Sequence, residues 1–137
     1  MSPHQPILLV EDSVRDLEMA LEALEQHGLG EQVLALRDGA EALDYLYRRG
    51  PYRDRPHGDP CLILLDIKMP KVDGLEVLRQ VKADPVLKVI PIVVMTSARE
   101  DRDLDASYEL GANGYVVKPM RFSDFTPMMQ RLTDFWT

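Results

Sequence analysis

With a single cysteine, Cys61, the 137-residue chain cannot close a disulfide within itself, so packing has to hold whatever fold it takes. Histidine is scarce too: His4, His27 and His57 lie in a terminus, a helix end and a loop, without the spacing of a zinc site. Nor is there a surplus of positive charge. Sixteen Lys and Arg face 23 Asp and Glu, a net charge of −7, which works against the phosphate neutralisation that dominates nucleic-acid affinity. No apolar run is long enough to span a bilayer and no charged-then-apolar leader is present, so neither nucleic acid nor membrane is expected as a partner, and a cytoplasmic location is. A chain of this length forms one domain, residues 1–137, with no room for a separate effector.

What the chain does have is a repeated unit. Ile7 to Val10 is a short apolar, β-rich run, followed by Glu11-Asp12-Ser13 and then by Val14, Leu17, Leu21 and Leu24 at helical spacing up to Gly28. Val33 to Leu36 repeats the strand, and Asp38 with Glu41 starts the next helix in a capping-box-like arrangement. Residues 48–60, RRGPYRDRPHGDP, hold three prolines and no apolar period, and read as a solvated basic loop. Leu62 to Leu65 is continuously apolar, as suits a central strand buried on both faces, and runs into Asp66. A helix through Leu75, Val77, Leu78 and Val81 closes before Pro85. Ile92 to Met95 runs into Thr96, Ser97 with Glu100 can cap a polar helix to Gly111, and Tyr115 to Val117 ends on Lys118-Pro119 ahead of a last helix reaching Trp136. Five strand–helix units in succession predict an α/β fold, a five-stranded parallel sheet, doubly wound with helices on both faces.

In such a sheet ligands bind beyond the carboxyl ends of the strands, and there the polar residues collect: Glu11 and Asp12 after the first strand, Asp66 after the third, Thr96 after the fourth, Lys118 after the fifth. Taken singly, each has an ordinary explanation: a turn cap for Asp66, a helix-dipole complement for Glu11-Asp12, a solvated loop lysine for Lys118. Taken together, the three carboxylates form an all-oxygen acidic cluster that would repel itself without a cation, and its hard donors suit Mg²⁺ better than zinc. Asp66 can then act as a carboxylate nucleophile in phosphoryl transfer, with the Lys118 ammonium and the Thr96 hydroxyl stabilising charge on the phosphoryl oxygens.

These anchors resemble the response-regulator receiver domains of two-component signalling. Carrying the resemblance are Glu11-Asp12, LLDIKMPKVDG around Asp66, TSA at 96–98 and GYVVKP ending on Lys118-Pro119. Thr96 follows Asp66 by 30 residues and precedes Lys118 by 22, as the family has it. The resemblance implies a flavodoxin-like (βα)5 receiver whose Asp66 accepts a phosphoryl group from a sensor histidine kinase. It implies Mg²⁺ held by Asp12, Asp66 and the backbone carbonyl of Lys68, with Glu11 acting through a water, and a switch made of Thr96 and Tyr115. It also implies a cis Lys118-Pro119 bond. The Pro-rich loop, ASYELGANGYVVKP and the closing phenylalanine-tryptophan pair are similar to the small receivers that partner phytochrome-type kinases and pass the signal to a separate phosphotransfer or target protein. Two other uses of such a sheet fit less well. A haloacid-dehalogenase-type phosphatase would need an aspartate two residues after the nucleophile, where Lys68 stands. A flavodoxin-like FMN carrier would need a Ser/Thr-rich phosphate loop where the acids Glu11 and Asp12 stand.

The last helix carries one more expectation. From Phe122 its apolar residues cover an arc of about 140°, wider than the roughly 100° needed to pack on a sheet. The surplus places Met128 and Phe135 at a margin that could join two copies into a homodimer, and Pro127 could delay the start of that helix to Thr126.

Overall fold

The computed structural model describes residues 5–55, 58–67, 69, 72–96, 101–119 and 121–136, with backbone alone at 101–104. Strands β1 (Ile7–Val10), β2 (Val33–Leu36), β3 (Leu62–Asp66), β4 (Ile92–Thr96) and β5 (Gly114–Val117) alternate with helices α1 (Val14–Gln26), α2 (Gly39–Leu46), α3 (Gly74–Ala83), α4 (Asp101–Glu109) and α5 (Phe122–Trp136). The sheet is wholly parallel, in the order β2-β1-β3-β4-β5. Chain order reverses direction between β1 and β3, which opens a crevice at their carboxyl ends.

Side-chain alternation explains the two covered faces. Leu8, Val10, Ile63, Leu65, Ile92 and Val94 point to one side and pack with α2 and α3 residues such as Leu43, Leu46, Val77 and Leu78. Ile7, Leu9, Leu62, Leu64, Val93 and Met95 point to the other, against Leu17, Ala20 and Leu24 of α1 and Phe125, Met129 and Leu132 of α5. The continuously apolar β1, β3 and β4 are buried along their whole length, whereas β5, at the edge, is only half-buried.

Local chemistry sets the helix starts. Ser13, Asp38 and Asp73 each adopt extended backbone and accept a hydrogen bond from the amide three residues on, at Asp16, Glu41 and Glu76. The capping expected of Ser97 and Glu100 lies outside the described residues. Helix α5 begins at Phe122 and carries Pro127 inside it, so the later start expected at Thr126 is corrected. Its amphipathic face, buried against the sheet and α1, outweighs the one ladder hydrogen bond that proline forgoes.

Gly74 is required by close approach. A Cβ there would run into the carbonyl oxygen of Asp66, and the Gly74 amide donates to the Ile67 carbonyl at 2.7 Å, tying the start of α3 to the end of β3. Gly74→Ala is therefore expected to cost about 2–3 kcal/mol as the loop gives way to relieve overlap, read as a lower midpoint in urea unfolding.

The basic loop is not uniformly solvated. Arg48, Arg49 and Arg53 are exposed, but Arg55 lies 4.1 Å over the Tyr45 ring and bonds the carbonyls of Tyr45 and Gly58 and the carboxylate of Asp59. Its guanidinium thereby ties the loop back to the last turn of α2, by stacking on the ring and by hydrogen bonds.

Candidate functional site

Register brings the polar residues together. Val10 pairs with Leu65, so Glu11 and Asp66 stand side by side one step further on. Asp66 pairs with Met95 and Thr96 with Val117, which carries Lys118 past the same edge. Beyond the ladder, the Glu11 amide donates to the Leu36 carbonyl at 3.0 Å and the Lys118 amide to the Thr96 carbonyl at 2.7 Å, holding each residue at its strand end.

Carboxylate oxygens of Glu11, Asp12 and Asp66 all lie within 4.8 Å of one another, with Glu11 and Asp66 buried and Asp12 half-buried. The Lys118 ammonium sits 2.6 Å from Glu11 Oε1, 3.1 Å from Asp16 Oδ2 and 3.4 Å from Asp66 Oδ1. Burial pushes the Asp66 carboxyl up to about 8, helped by the Glu11 charge and by hydrogen bonds with Glu11 and Asp12, and the Lys118 charge opposes the rise only in part. Burial alone would lower Lys118. The Glu11 hydrogen bond, the charges of Asp66 and Glu11 and the Asp16 hydrogen bond together outweigh it and raise the ammonium above its ordinary value. The site thus stores an excess of negative charge that one lysine does not balance, and its three crowded carboxyl groups offer the hard oxygen donors that Mg²⁺ takes.

That crowding has a measurable consequence without metal. In the folded chain the Asp66 carboxyl is pushed up to about 8 from an ordinary value of 3.8. Between those values the folded state holds a proton that the unfolded state has lost, so stability falls as pH rises through the window. In excess chelator the melting temperature is expected to drop from pH 5 to pH 8, and Asp66→Asn should flatten the drop.

Thr96 is buried at the end of β4, and Tyr115 on β5 is half-buried, with its ring edge-to-face with Tyr108 at 5.8 Å. Lys68 lies outside the described residues. The cis bond expected at Lys118-Pro119 is corrected: no described peptide bond is cis. Strand register alone delivers the lysine to the acids, so the isomer that costs about 0.5–1 kcal/mol before proline is not needed to aim it.

Two site residues escaped the sequence reading. Asp16, on the first turn of α1, was one acid among several on a helix. Its signal was its place in the first turn of α1, three residues after the cap Ser13 and beside the strand end that carries Glu11 and Asp12. Arg37, after β2, donates through Nη2 to the Asp12 carbonyl at 3.1 Å and so bridges the first two strand-end loops. Nothing in its own neighbourhood in the sequence marked it.

At the far end of α5 the expected margin divides. Met128 is buried, 7 % exposed, in the cluster beneath α1 and α5, which corrects its placement on an outer surface. Packing against both the sheet and α1 covers a wider arc than a sheet alone. Phe135 is 78 % exposed, with its ring edge-to-face with Trp136. His27 caps the end of α1 and meets Asp134 at 3.1 Å.

The response regulator receiver domain model matches residues 7–130, and the chain belongs to that family. Response regulator Rcp1 of Synechocystis sp. is 42 % identical over 135 residues, covering 98 % of this chain and 90 % of its own length. Among solved structures, the phosphorylated cyanobacterial phytochrome response regulator RcpA superposes with a TM-score of 0.89 at 39 % identity, covering 97 % of this chain and 94 % of that one. The bacteriophytochrome response regulator AtBRR is 56 % identical, with a TM-score of 0.80 and coverage of 97 % and 95 %. No helix among the described residues is long and apolar enough to cross a membrane.

Proposed function

We propose that this receiver is a stand-alone response regulator whose Asp66 accepts a phosphoryl group from a phytochrome-type sensor histidine kinase and that signals through protein contacts. The observation that carries the reading is convergence at the end of the central strand. A buried aspartate meets two further carboxyl groups and one ammonium there, with a buried threonine ending the next strand. Such a set holds a nucleophile, donors for an oxyanion, and a place for a divalent cation.

In the transfer, an Asp66 carboxylate oxygen attacks phosphorus in line with the bond to the kinase imidazole. The P–O bond forms as the P–N bond breaks, and the electron pair returns to the departing histidine. Lys118 offers N–H groups to the phosphoryl oxygens, and the Thr96 hydroxyl reaches them from the next strand end. Asp12 and Asp66 would hold Mg²⁺ together with the Lys68 carbonyl, and Glu11 would act through a water. When bound, Mg²⁺ offsets the charge of the carboxylates and of the transferring oxygens. Tyr115, one strand further out, is placed to follow Thr96 and carry the change to the β5 face. Similarity to the phytochrome response regulators supports the choice of kinase, and the exposed Phe135 gives a second copy or a target something apolar to meet. The reading is tested by transfer of labelled phosphate from autophosphorylated phytochrome-type kinases of the same organism. Rapid labelling of the chain is expected, and its absence with every such kinase would overturn the assignment of partner.

A further inference from the structure

We infer that Asp16 is a latch on Lys118: it holds the ammonium back from Asp66 and must release it when a phosphoryl group arrives. The inference rests on the reading of Asp66 as phosphoacceptor and names a positioning residue for that same site. A lysine ammonium has three N–H donors, and here three carboxylates compete for them. Their distances rank the hold. Glu11 at 2.6 Å and Asp16 at 3.1 Å draw Lys118 toward the α1 side, while Asp66 at 3.4 Å is the farthest of the three. A phosphoryl group on Asp66 places its acceptor oxygens on the Asp66 side of the site, so the ammonium has to shift toward it and give up its hold on Glu11 or on Asp16.

Glu11 is the wrong one to lose. Its side chain is 1 % exposed, and without the ammonium it would be left as a buried carboxylate with no cation, held by the Ser13 amide and facing the Asp66 carboxyl. Asp16 stands otherwise. Its side chain is 17 % exposed, it lies at the rim on the first turn of α1, and its other oxygen already meets the exposed Arg15 guanidinium at 3.4 Å. That turn of helix favours a negative charge whether or not the lysine stays. Releasing Asp16 therefore costs little and frees one N–H for the phosphoryl group, and the contact favours the unphosphorylated state by what that bond contributes. No covalent step involves Asp16 itself.

The test uses the full chain and its Asp16→Ala and Asp16→Glu variants, with acetyl phosphate and Mg²⁺ as the phosphodonor and intact mass as the readout. Without the latch, Asp16→Ala is expected to gain its phosphoryl group about three- to tenfold faster than the parent, the range of one modest charge-assisted hydrogen bond. Asp16→Glu, whose carboxylate can still reach Lys118, should return the rate toward the parent's. Exchange of the Lys118 ammonium protons, followed by nitrogen-15 NMR in the unphosphorylated state, should be faster in Asp16→Ala and near the parent's in Asp16→Glu. A residue that only supports α1 would lower the urea midpoint and leave the rate alone. An unchanged or slower gain in Asp16→Ala, with the parent labelled normally, overturns the latch and leaves the function standing. A parent that takes no phosphoryl group overturns the phosphoacceptor reading, and the latch with it. Should Asp16→Ala fail to fold, Asp16→Asn carries the same expectation with the side-chain shape kept.

Discussion

Asp66→Asn is expected to take no phosphoryl group from either a small acyl phosphate or a kinase, while folding at least as stably as the parent in metal-free buffer. The amide has nearly the shape of the carboxyl group but no anionic oxygen to attack phosphorus, so acceptance is lost rather than slowed. Stability moves the other way. Asp66 is 5 % exposed and shares its surroundings with Glu11 and Asp12, and burial first, then the Glu11 charge, push its carboxyl up to about 8. Replacing it with a neutral group removes the repulsion at and above neutral pH. The two halves of the result guard each other: a variant that melts higher yet stays unlabelled by intact mass has lost chemistry and not structure. A single phosphoryl group on Asp66→Asn would move the acceptor elsewhere.

The second large effect belongs to Lys118. In Lys118→Met the long apolar side chain keeps much of the packing volume, but the charge that faces Glu11, Asp16 and Asp66 is gone. Phosphoryl gain is expected to slow by about 10²–10³, the usual cost of one lost donor to a developing oxyanion. Folding also suffers, because the deeply buried Glu11 no longer has a cation, and breaking such a pair typically costs about 3–5 kcal/mol. That loss depends on pH in a fixed direction. The Lys118 charge is what opposes the rise of the Asp66 carboxyl, so without it that carboxyl rises further above its ordinary value and stability falls more as pH increases. Urea midpoints at pH 5 and pH 8 measure the difference. The deficit relative to the parent should be the larger at pH 8, and equal deficits would show that the Asp66 carboxyl does not depend on the lysine.

The loss of acceptance in Asp66→Asn could be framed before any coordinates, since each acid and the lysine directly follow or end an apolar run, and a parallel sheet puts such positions on one edge. The effects on stability needed the contacts of Lys118 and the burial of Glu11 and Asp66. Element order, all five strands and the capping of α2 by Asp38 are local properties, readable within a few residues of where they act. Arg55 shows where that reading stops. In the sequence it is one of four arginines in a polar, proline-rich loop, and only the folded chain stacks it on Tyr45 and turns it toward the Tyr45 and Gly58 carbonyls. Met128 shows the same limit from the apolar side, because a helical wheel counts one packing partner and α5 has two.

Alone, then, the sequence determined the fold class, the doubly wound parallel sheet and the identity of the strand-end residues Glu11, Asp12, Asp66, Thr96 and Lys118, because periodicity and caps act over one or two turns of chain. Tertiary structure decided how those residues are shared. Lys118 divides itself among Glu11, Asp16 and Asp66, Arg37 reaches across to the Asp12 carbonyl, and Gly74 lets α3 close on Asp66. Each of those choices joins segments brought together by strand register and helix packing, and which of several acids wins an ammonium depends on distances that no single stretch of the chain contains.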